Sequence, residues 1–171
     1  MRPFIKFEKT QVSFHSKAAR INNESMPISD KDTERCNNWI DSYRNALESK
    51  DKADTLLNIG REMYNWLNGE AGIMDRLVNE ETGNPLIVDF IGTGGRRTQG
   101  TLRFLQAPWE LLADEQGHLA AGTDLKFCPV RRINDPENET EPSQYRLCTV
   151  FMAAEPRDTK NPLSYEDEES S

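Results

Sequence analysis

The stretch Leu105–Leu112, reading L-Q-A-P-W-E-L-L, constrains the fold of this chain more than any other. It lies between two runs whose composition is typical of strands. Pro108 suits the first turn of a helix, because proline has a preset φ and no N–H to leave unpaired. Trp109, Leu111 and Leu112 can then be buried, so the segment is expected to anchor the elements on both sides of it.

Glu110 stands among these apolar neighbours, and a buried carboxylate needs a partner. Arg131 or Arg132, further along the chain, can supply a bidentate guanidinium. We therefore expect a structural ion pair at Glu110, and not a general acid. Together with Trp109 these are the structural site candidates, while no catalytic, cofactor-binding or metal-binding residue is predicted.

The amino-terminal part is expected to contain two short strands followed by helices. Phe4–Glu8 and Gln11–His15 alternate apolar and polar residues, as half-buried strands of a hairpin do. Ile21–Pro27 is polar and turn-like, and Ser29 with Asp32 forms a capping box that begins a helix. Apolar residues at helical spacing then predict three helices, with inward stripes at Cys36, Trp39, Ile40, Tyr43 and Leu47, at Leu56, Ile59, Met63 and Leu67, and at Ile73, Met74, Leu77 and Val78.

The middle of the chain is expected to form hairpins. Pro85–Ile91 and Thr101–Leu105 are strand-like, and the glycine-rich residues 92–100 between them predict a hairpin loop. A phosphate cradle would need those glycines to lead from a strand into a helix, so the hairpin loop is favoured. His118–Ala121 and Leu125–Arg132 predict a second hairpin.

The carboxyl-terminal part is expected to begin a new domain. Residues 134–144 are polar and acidic with two prolines, which is typical of a linker. Tyr145–Ala154 is a nearly continuous apolar run, as in a strand buried on both faces of a parallel sheet. One such strand cannot form a sheet alone, so residues 145–171 are expected to start an α/β domain that is incomplete here.

The charge balance excludes some functions. With 21 Lys and Arg against 29 Asp and Glu, the net charge of -8 argues against nucleic-acid or anionic-membrane binding. The chain begins without a signal-peptide core and has no apolar run long enough to span a membrane. Three cysteines without C-x-x-C spacing point to a reducing compartment, so a cytoplasmic location is expected. The two histidines and three cysteines lack metal-ligand spacing, and no cofactor is expected.

A thiol site is the remaining chemical candidate. If the second hairpin closes at residues 122–123, His118 lies opposite Cys128, as a base beside a nucleophile would. A packed thiol near a surface histidine is the favoured interpretation. Cys36 and Cys148 are expected to be buried apolar fillers.

Several motifs follow one another in a fixed order. They are G-x-x-x-Y-x-x-L at Gly60–Leu67, A-P-W-E-L-L at Ala107–Leu112, D-x-x-G-x-L-A at Asp114–Ala120, P-V-R-R at Pro129–Arg132, and a buried strand that ends in A-x-P. Over roughly residues 55–171 this order resembles the CHAT domain, a family of caspase-like cysteine peptidases that are often found beside TPR repeats. No 34-residue TPR repeat is visible in the helices of this chain.

The resemblance implies peptidase ancestry without catalytic residues in this chain. The family's histidine and cysteine lie after later strands of the caspase-like core, so none is carried over. The chain is then expected to be the amino-terminal part of a CHAT-type peptidase, inactive by itself, with a protein partner such as the missing core. The alternative is a standalone, non-enzymatic interaction module that pairs another chain at strand 145–154. An autonomous thiol enzyme ranks third.

The expected fold class is α+β. N-terminal helices with small antiparallel hairpins are followed by the first strand of an incomplete caspase-like α/β sheet. The expected segments are short strands in 1–28, helices in 29–83, a β-hairpin and PWELL subdomain in 84–133, a linker in 134–144 and the start of the truncated core in 145–171.

Overall fold

The structure of the 171-residue chain is a computed structural model. It describes residues 2–49, 52–80, 85–92, 99–122 and 126–133, with the backbone alone at residues 99 and 100. These residues all belong to the first of two units into which the chain divides, residues 1–139. The predicted linker and the predicted strand Tyr145–Ala154 lie outside the described residues.

Five strands form one mixed sheet: β1 (Phe4–Phe7), β2 (Gln11–Ser16), β3 (Ile21–Pro27), β4 (Leu86–Gly92) and β5 (Phe127–Ile133). Their order across the sheet is β3-β2-β1-β4-β5. The first three strands are antiparallel neighbours, whereas β1 and β5 both run parallel to β4. The predicted β1–β2 hairpin is therefore confirmed, and β1 also pairs with a strand far along the chain.

Helices connect the two halves of the sheet. Between β3 and β4 lie α1 (Asp30–Glu48), α2 (Ala53–Asn68) and α3 (Ile73–Glu80), and between β4 and β5 lie α4 (Gln99–Gln106) and two 3₁₀ turns, Trp109–Leu111 and Leu119–Ala121. The chain is thus an α+β fold with a mixed sheet. Within the described part, no helix combines the length and apolarity needed to cross a bilayer.

The predicted capping box at the start of α1 is confirmed. The Ser29 hydroxyl accepts the Asp32 N–H at 3.3 Å, and the Asp32 carboxylate accepts the Ser29 N–H at 2.9 Å. The other Asp32 oxygen accepts the Trp66 Nε1–H at 2.9 Å, which ties α1 to α2. Burial would raise the pKa of the Asp32 carboxyl, but the hydrogen bonds from Ser29 and Trp66 hold it below its usual value.

The core lies between one face of the sheet and the helices. Phe7 of β1 and Phe90 of β4 project from that face and stack on side chains of the 104–109 region, with Phe7 and Phe104 centroids 5.1 Å apart. Trp39 of α1 and Trp66 of α2 extend the same aromatic cluster. Burial of this apolar surface is the main stabilising contribution, because apolar area removed from water lowers the free energy of the folded state.

Two predicted strands and one predicted turn are wrong. Thr101–Leu105 lies in the helix α4, and His118–Ala121 enters a 3₁₀ turn. Ile21–Pro27, predicted as a turn, is the strand β3, which pairs with β2 and whose side chains are mostly polar and exposed.

Both predicted hairpins in the middle of the chain are therefore wrong. β5 pairs parallel to β4, and α4 packs so close to the end of β4 that a Cβ at Gly92 would lie 2.7 Å from Leu105 Cδ1. A parallel connection between neighbouring strands needs a crossover, and α4 with the two 3₁₀ turns supplies it. The glycine-rich residues 92–100 thus connect a strand to a helix, and do not connect two strands of a hairpin. Residues 93–98 themselves lie outside the described part.

Candidate functional site around the 105–112 segment

Trp109 is the centre of the 105–112 segment. Its side chain is fully buried, with 0% exposure. Its ring lies 4.9 Å from that of Phe90 and 5.7 Å from that of Phe7, and it meets Trp39 edge-on at 6.4 Å. The indole Nε1–H donates to the main-chain oxygen of Phe104 at 2.7 Å. The only polar atom of the side chain is thus satisfied, which permits complete burial.

Glu110 pairs with Arg131, as the sequence predicts for one of two arginines. Arg131 donates to both carboxylate oxygens of Glu110, with Nη2 2.7 Å from Oε2. The same guanidinium donates from Nε to Leu105 O at 2.7 Å and from Nη2 to Ala107 O at 2.9 Å. One side chain of β5 therefore holds four acceptors of the 105–112 segment in place, which a bidentate guanidinium can do and an ammonium cannot.

The two charged partners shift each other's pKa in opposite directions. Burial would raise the pKa of the Glu110 carboxyl, but its hydrogen bonds with Arg131 hold it below its usual value. The hydrogen bond from Arg131 to Glu110 raises the pKa of that guanidinium. The side chains are 51% and 34% exposed, so water screens the pair and its direct stabilisation is small. Arg131 therefore stabilises the fold mainly through its hydrogen bonds to the carbonyl oxygens of Leu105 and Ala107.

Replacing Glu110 by glutamine should lower the free energy of unfolding by roughly 0.2–1 kcal/mol at pH 7. The folded pKa lies below its ordinary value of 4.5, so the carboxylate stabilises the fold above pH 4.5 and loses that effect as the pH falls through the folded pKa. Urea unfolding of both proteins at pH 7 and in acid measures the difference, which should disappear in acid. Glu115→Gln, at an exposed residue, is the matched control; a Glu110→Gln variant as stable as this control at pH 7 would contradict the pairing.

Arg132 has a different partner, which the sequence analysis missed. Its Nε lies 3.1 Å from Oδ1 of Asp89, a carboxylate of β4 that is 5% exposed. Asp89 alternates with the core residues Val88 and Phe90, so its side chain projects from the opposite face of the sheet. The sequence could have indicated this pair, because a single aspartate inside the apolar run P-L-I-V-D-F-I needs a cation as its partner when it is buried.

Helix α2 docks directly on the carboxyl end of the segment. A Cβ at Gly60 would lie 1.9 Å from the main-chain oxygen of Leu111, so only glycine fits there. The next residue, Arg61, donates from Nε to Asp114 O at 3.2 Å and from Nη2 to Glu115 O at 3.3 Å. This backbone-to-backbone approach explains why a glycine is used in the interior of a helix, where alanine is normally better.

A polar cleft of about 700 Å³ opens beside this contact, between α2, α3 and residues 113–116. In its wall the Asp75 carboxylate accepts the Tyr64 hydroxyl at 2.6 Å and the Asn68 amide at 2.9 Å. Both bonds hold the pKa of Asp75 below its usual value. Burial, followed by the hydrogen bond to Asp75, raises the pKa of Tyr64. At neutral pH the pair is a carboxylate and a phenol, so the Tyr64 hydroxyl is not set up as a nucleophile.

The geometric basis of the predicted thiol site is wrong. The hairpin that was to place His118 opposite Cys128 does not form, since β5 pairs with β4 and the histidine Nδ1 lies 2.8 Å from Leu111 O. Cys128 is exposed on β5. Cys36 is buried with its Sγ 3.7 Å from Arg103 O, and burial raises its pKa to about 12. Cys148 lies outside the described residues.

The described residues hold no group of three metal-ligating side chains. The interactions of the segment are those of a packing centre, built from one buried indole, one arginine and one close helix contact. Comparison with protein-family models, curated proteins and solved structures found no match to this chain.

Proposed function

We propose that this chain is the amino-terminal part of a CHAT-type, caspase-like cysteine peptidase and that it has no peptidase activity by itself. The observation that carries the proposal is spatial. Stretches that are far apart in the sequence, and that together resemble the family, contact one another in the fold. These contacts support the proposal, because they place the motif residues in one structural unit.

The contacts connect four of the motifs. Gly60, which opens the first motif, packs on the backbone of Leu111 in A-P-W-E-L-L. Glu110 of the same motif pairs with Arg131 of P-V-R-R. The turn that begins at Asp114 receives a hydrogen bond from Arg61, the second residue of the first motif. Trp109, Glu110 and Arg131 thus have a structural role. The catalytic histidine and cysteine of the family would lie in a segment outside the stretches that resemble the family here.

Iodoacetamide labelling at neutral pH tests the proposed lack of a thiol site. Cys128 should be alkylated at the rate of a free thiol, because it is exposed on β5 and the hairpin that would place His118 opposite it is not formed. Cys36 should be labelled far more slowly, since burial keeps its thiol protonated. Peptide mapping by mass spectrometry separates the cysteines, and a Cys128→Ser variant identifies its peptide. Alkylation of Cys128 well above the free-thiol rate would contradict a catalytically silent chain.

The nucleotide sequence beyond the codon for Ser171 tests the proposed relation to a peptidase. A continuing or adjacent reading frame that encodes a strand followed by His-Gly, and later a strand followed by Cys, is the expected result. A neighbourhood without such a frame would contradict this proposal.

The alternative proposal is a standalone, non-enzymatic interaction module. It is favoured by one observation, namely that the described residues enclose a substantial core of their own, from Ile5 in β1 to Phe127 in β5. A stable monomer of the isolated chain with a cooperative unfolding transition would support this alternative. A chain that unfolds without cooperativity would favour the first proposal, in which the missing core completes the fold.

A further inference from the structure

We infer that both edges of the sheet formed by the five described strands are closed to the addition of a strand from another chain. Each edge strand carries a proline, Pro27 in β3 and Pro129 in β5, at a position where its missing N–H faces away from the sheet. A protein partner therefore does not bind by extending this sheet. The inference does not depend on the proposed peptidase relationship.

The position of Pro129 follows from the parallel ladder. Leu86 N–H of β4 donates to Lys126 O at 2.8 Å, and Leu86 is in register with Phe127. In a parallel strand the N–H and C=O of one residue point to the same side, and the side alternates along the chain. The even-numbered residues 126–132 therefore pair with β4, while the odd-numbered residues 127–133 face outward. Pro129 is one of these outward residues, and it has no N–H to offer.

The position of Pro27 follows from the antiparallel ladder. Ile28 N–H donates to Thr10 O at 2.9 Å, in line with the register of Gln11 with Pro27 and Val12 with Met26. Bonded pairs alternate with unbonded pairs between antiparallel strands. Residues 24, 26 and 28 therefore pair with β2, and Pro27 faces outward.

The β3 edge is also irregular. The β2–β3 register shifts between Phe14 and His15, and Asn23 opposite this point has a left-handed φ of 54°. A bulge of this kind twists an edge strand and breaks the even spacing of its donors and acceptors.

These features oppose strand addition physically. Strand addition obtains its affinity from a continuous row of main-chain hydrogen bonds. Pro129 is the third of the seven residues of β5. A strand added at this edge would have one carbonyl oxygen without a donor, and its hydrogen bonds to β5 would be divided into two short groups. Prolines at outward positions of edge strands are a known means of preventing such pairing.

Hydrogen exchange of the full-length chain, followed residue by residue by NMR, tests the inference on the unmodified protein. The outward amides of Phe127, Arg131 and Ile133 should exchange on the order of 100-fold faster than the amides of Cys128 and Val130, which pair with β4. Equal protection of the two sets would show that another strand covers this edge and would overturn the inference.

A Pro129→Val variant restores the missing donor. Sedimentation of the full chain should show self-association about fivefold tighter than that of the unmodified protein, the effect of roughly one net hydrogen bond. Pro85→Val is the matched control, because it adds an N–H just before the central strand β4. If a folded Pro129→Val protein associates no more than this control, the assigned role of Pro129 is overturned; if the variant does not fold, the exchange experiment decides.

Discussion

Replacing Trp109 by alanine should lower the free energy of unfolding by about 3–5 kcal/mol, the range for truncating a buried aromatic residue. The indole is fully buried and contacts rings from both sides of the core. Its removal would leave a cavity between the sheet and the helices. Phe104 O would lose the shorter of its two hydrogen bonds and keep the one from Ala107 N–H at 3.3 Å. Denaturant unfolding measures the loss, and the near-ultraviolet circular dichroism should weaken as the aromatic cluster loosens.

Two further variants make the result interpretable. Trp109→Phe retains a ring but not the bond to Phe104 O, and should cost less than the alanine variant because the cavity is smaller. Leu47→Ala, at a side chain that is 51% exposed, should have little effect. A Trp109→Ala loss no larger than that of Leu47→Ala would contradict the central position assigned to Trp109.

Gly60→Ala should be destabilising by roughly 3 kcal/mol, at the upper end of the cost of overpacking. The added Cβ would meet Leu111 O at 1.9 Å, and the obstacle is backbone rather than the end of a flexible side chain. Helix propensity alone predicts the opposite sign, a gain of about 1 kcal/mol for alanine over glycine inside a helix. The sign of the change, measured by thermal or denaturant unfolding, therefore decides between the two effects.

Asn58→Ala is the control for this experiment, because it introduces alanine at an exposed residue of the same helix. It should be neutral or slightly stabilising. A Gly60→Ala protein as stable as the Asn58→Ala protein would mean that α2 does not approach the 105–112 segment closely.

Local features of this fold could be predicted from the sequence. The capping box at Ser29 and the β1–β2 hairpin depend on neighbours within a few residues, so their signals are complete in the local pattern. The helical stripes were also predictable in outline. Of the α1 stripe, Cys36, Trp39 and Ile40 are buried, whereas Leu47, next to the last residue of the helix, is 51% exposed.

Pairing between distant strands could not be predicted in this way. The run T-L-R-F-L at Thr101–Leu105 alternates like a strand, yet the crossover between the parallel strands β4 and β5 makes it a helix. The polar run Ile21–Pro27 resembles a turn, and it becomes a strand because β2 offers it a hydrogen-bonding edge. In both cases the tertiary environment overrides the local pattern.

The candidate site was predictable where chemistry demanded a partner. The pairing of Glu110 with an arginine was predicted on the premise that the carboxylate is buried; the pair is present, but the Glu110 side chain is 51% exposed, so that premise is wrong. The same argument applied to Asp89 would have separated the roles of Arg131 and Arg132. Gly60 gave no such signal, because a close backbone approach depends on the packing of elements that the sequence does not specify.

The parallel pairing of β1 with β4 has a consequence for folding during synthesis. Phe4 is in register with Asp89, so 89 − 4 = 85 residues separate the partners. At about 5–20 residues per second, the ribosome delivers Asp89 roughly 4–17 s after Phe4. Throughout this interval the nascent chain carries β1 with one side of its backbone unpaired. Substitutions that slow the folding of α1–α3 therefore prolong this vulnerable period and reduce the yield of soluble protein, even where the finished fold is no less stable.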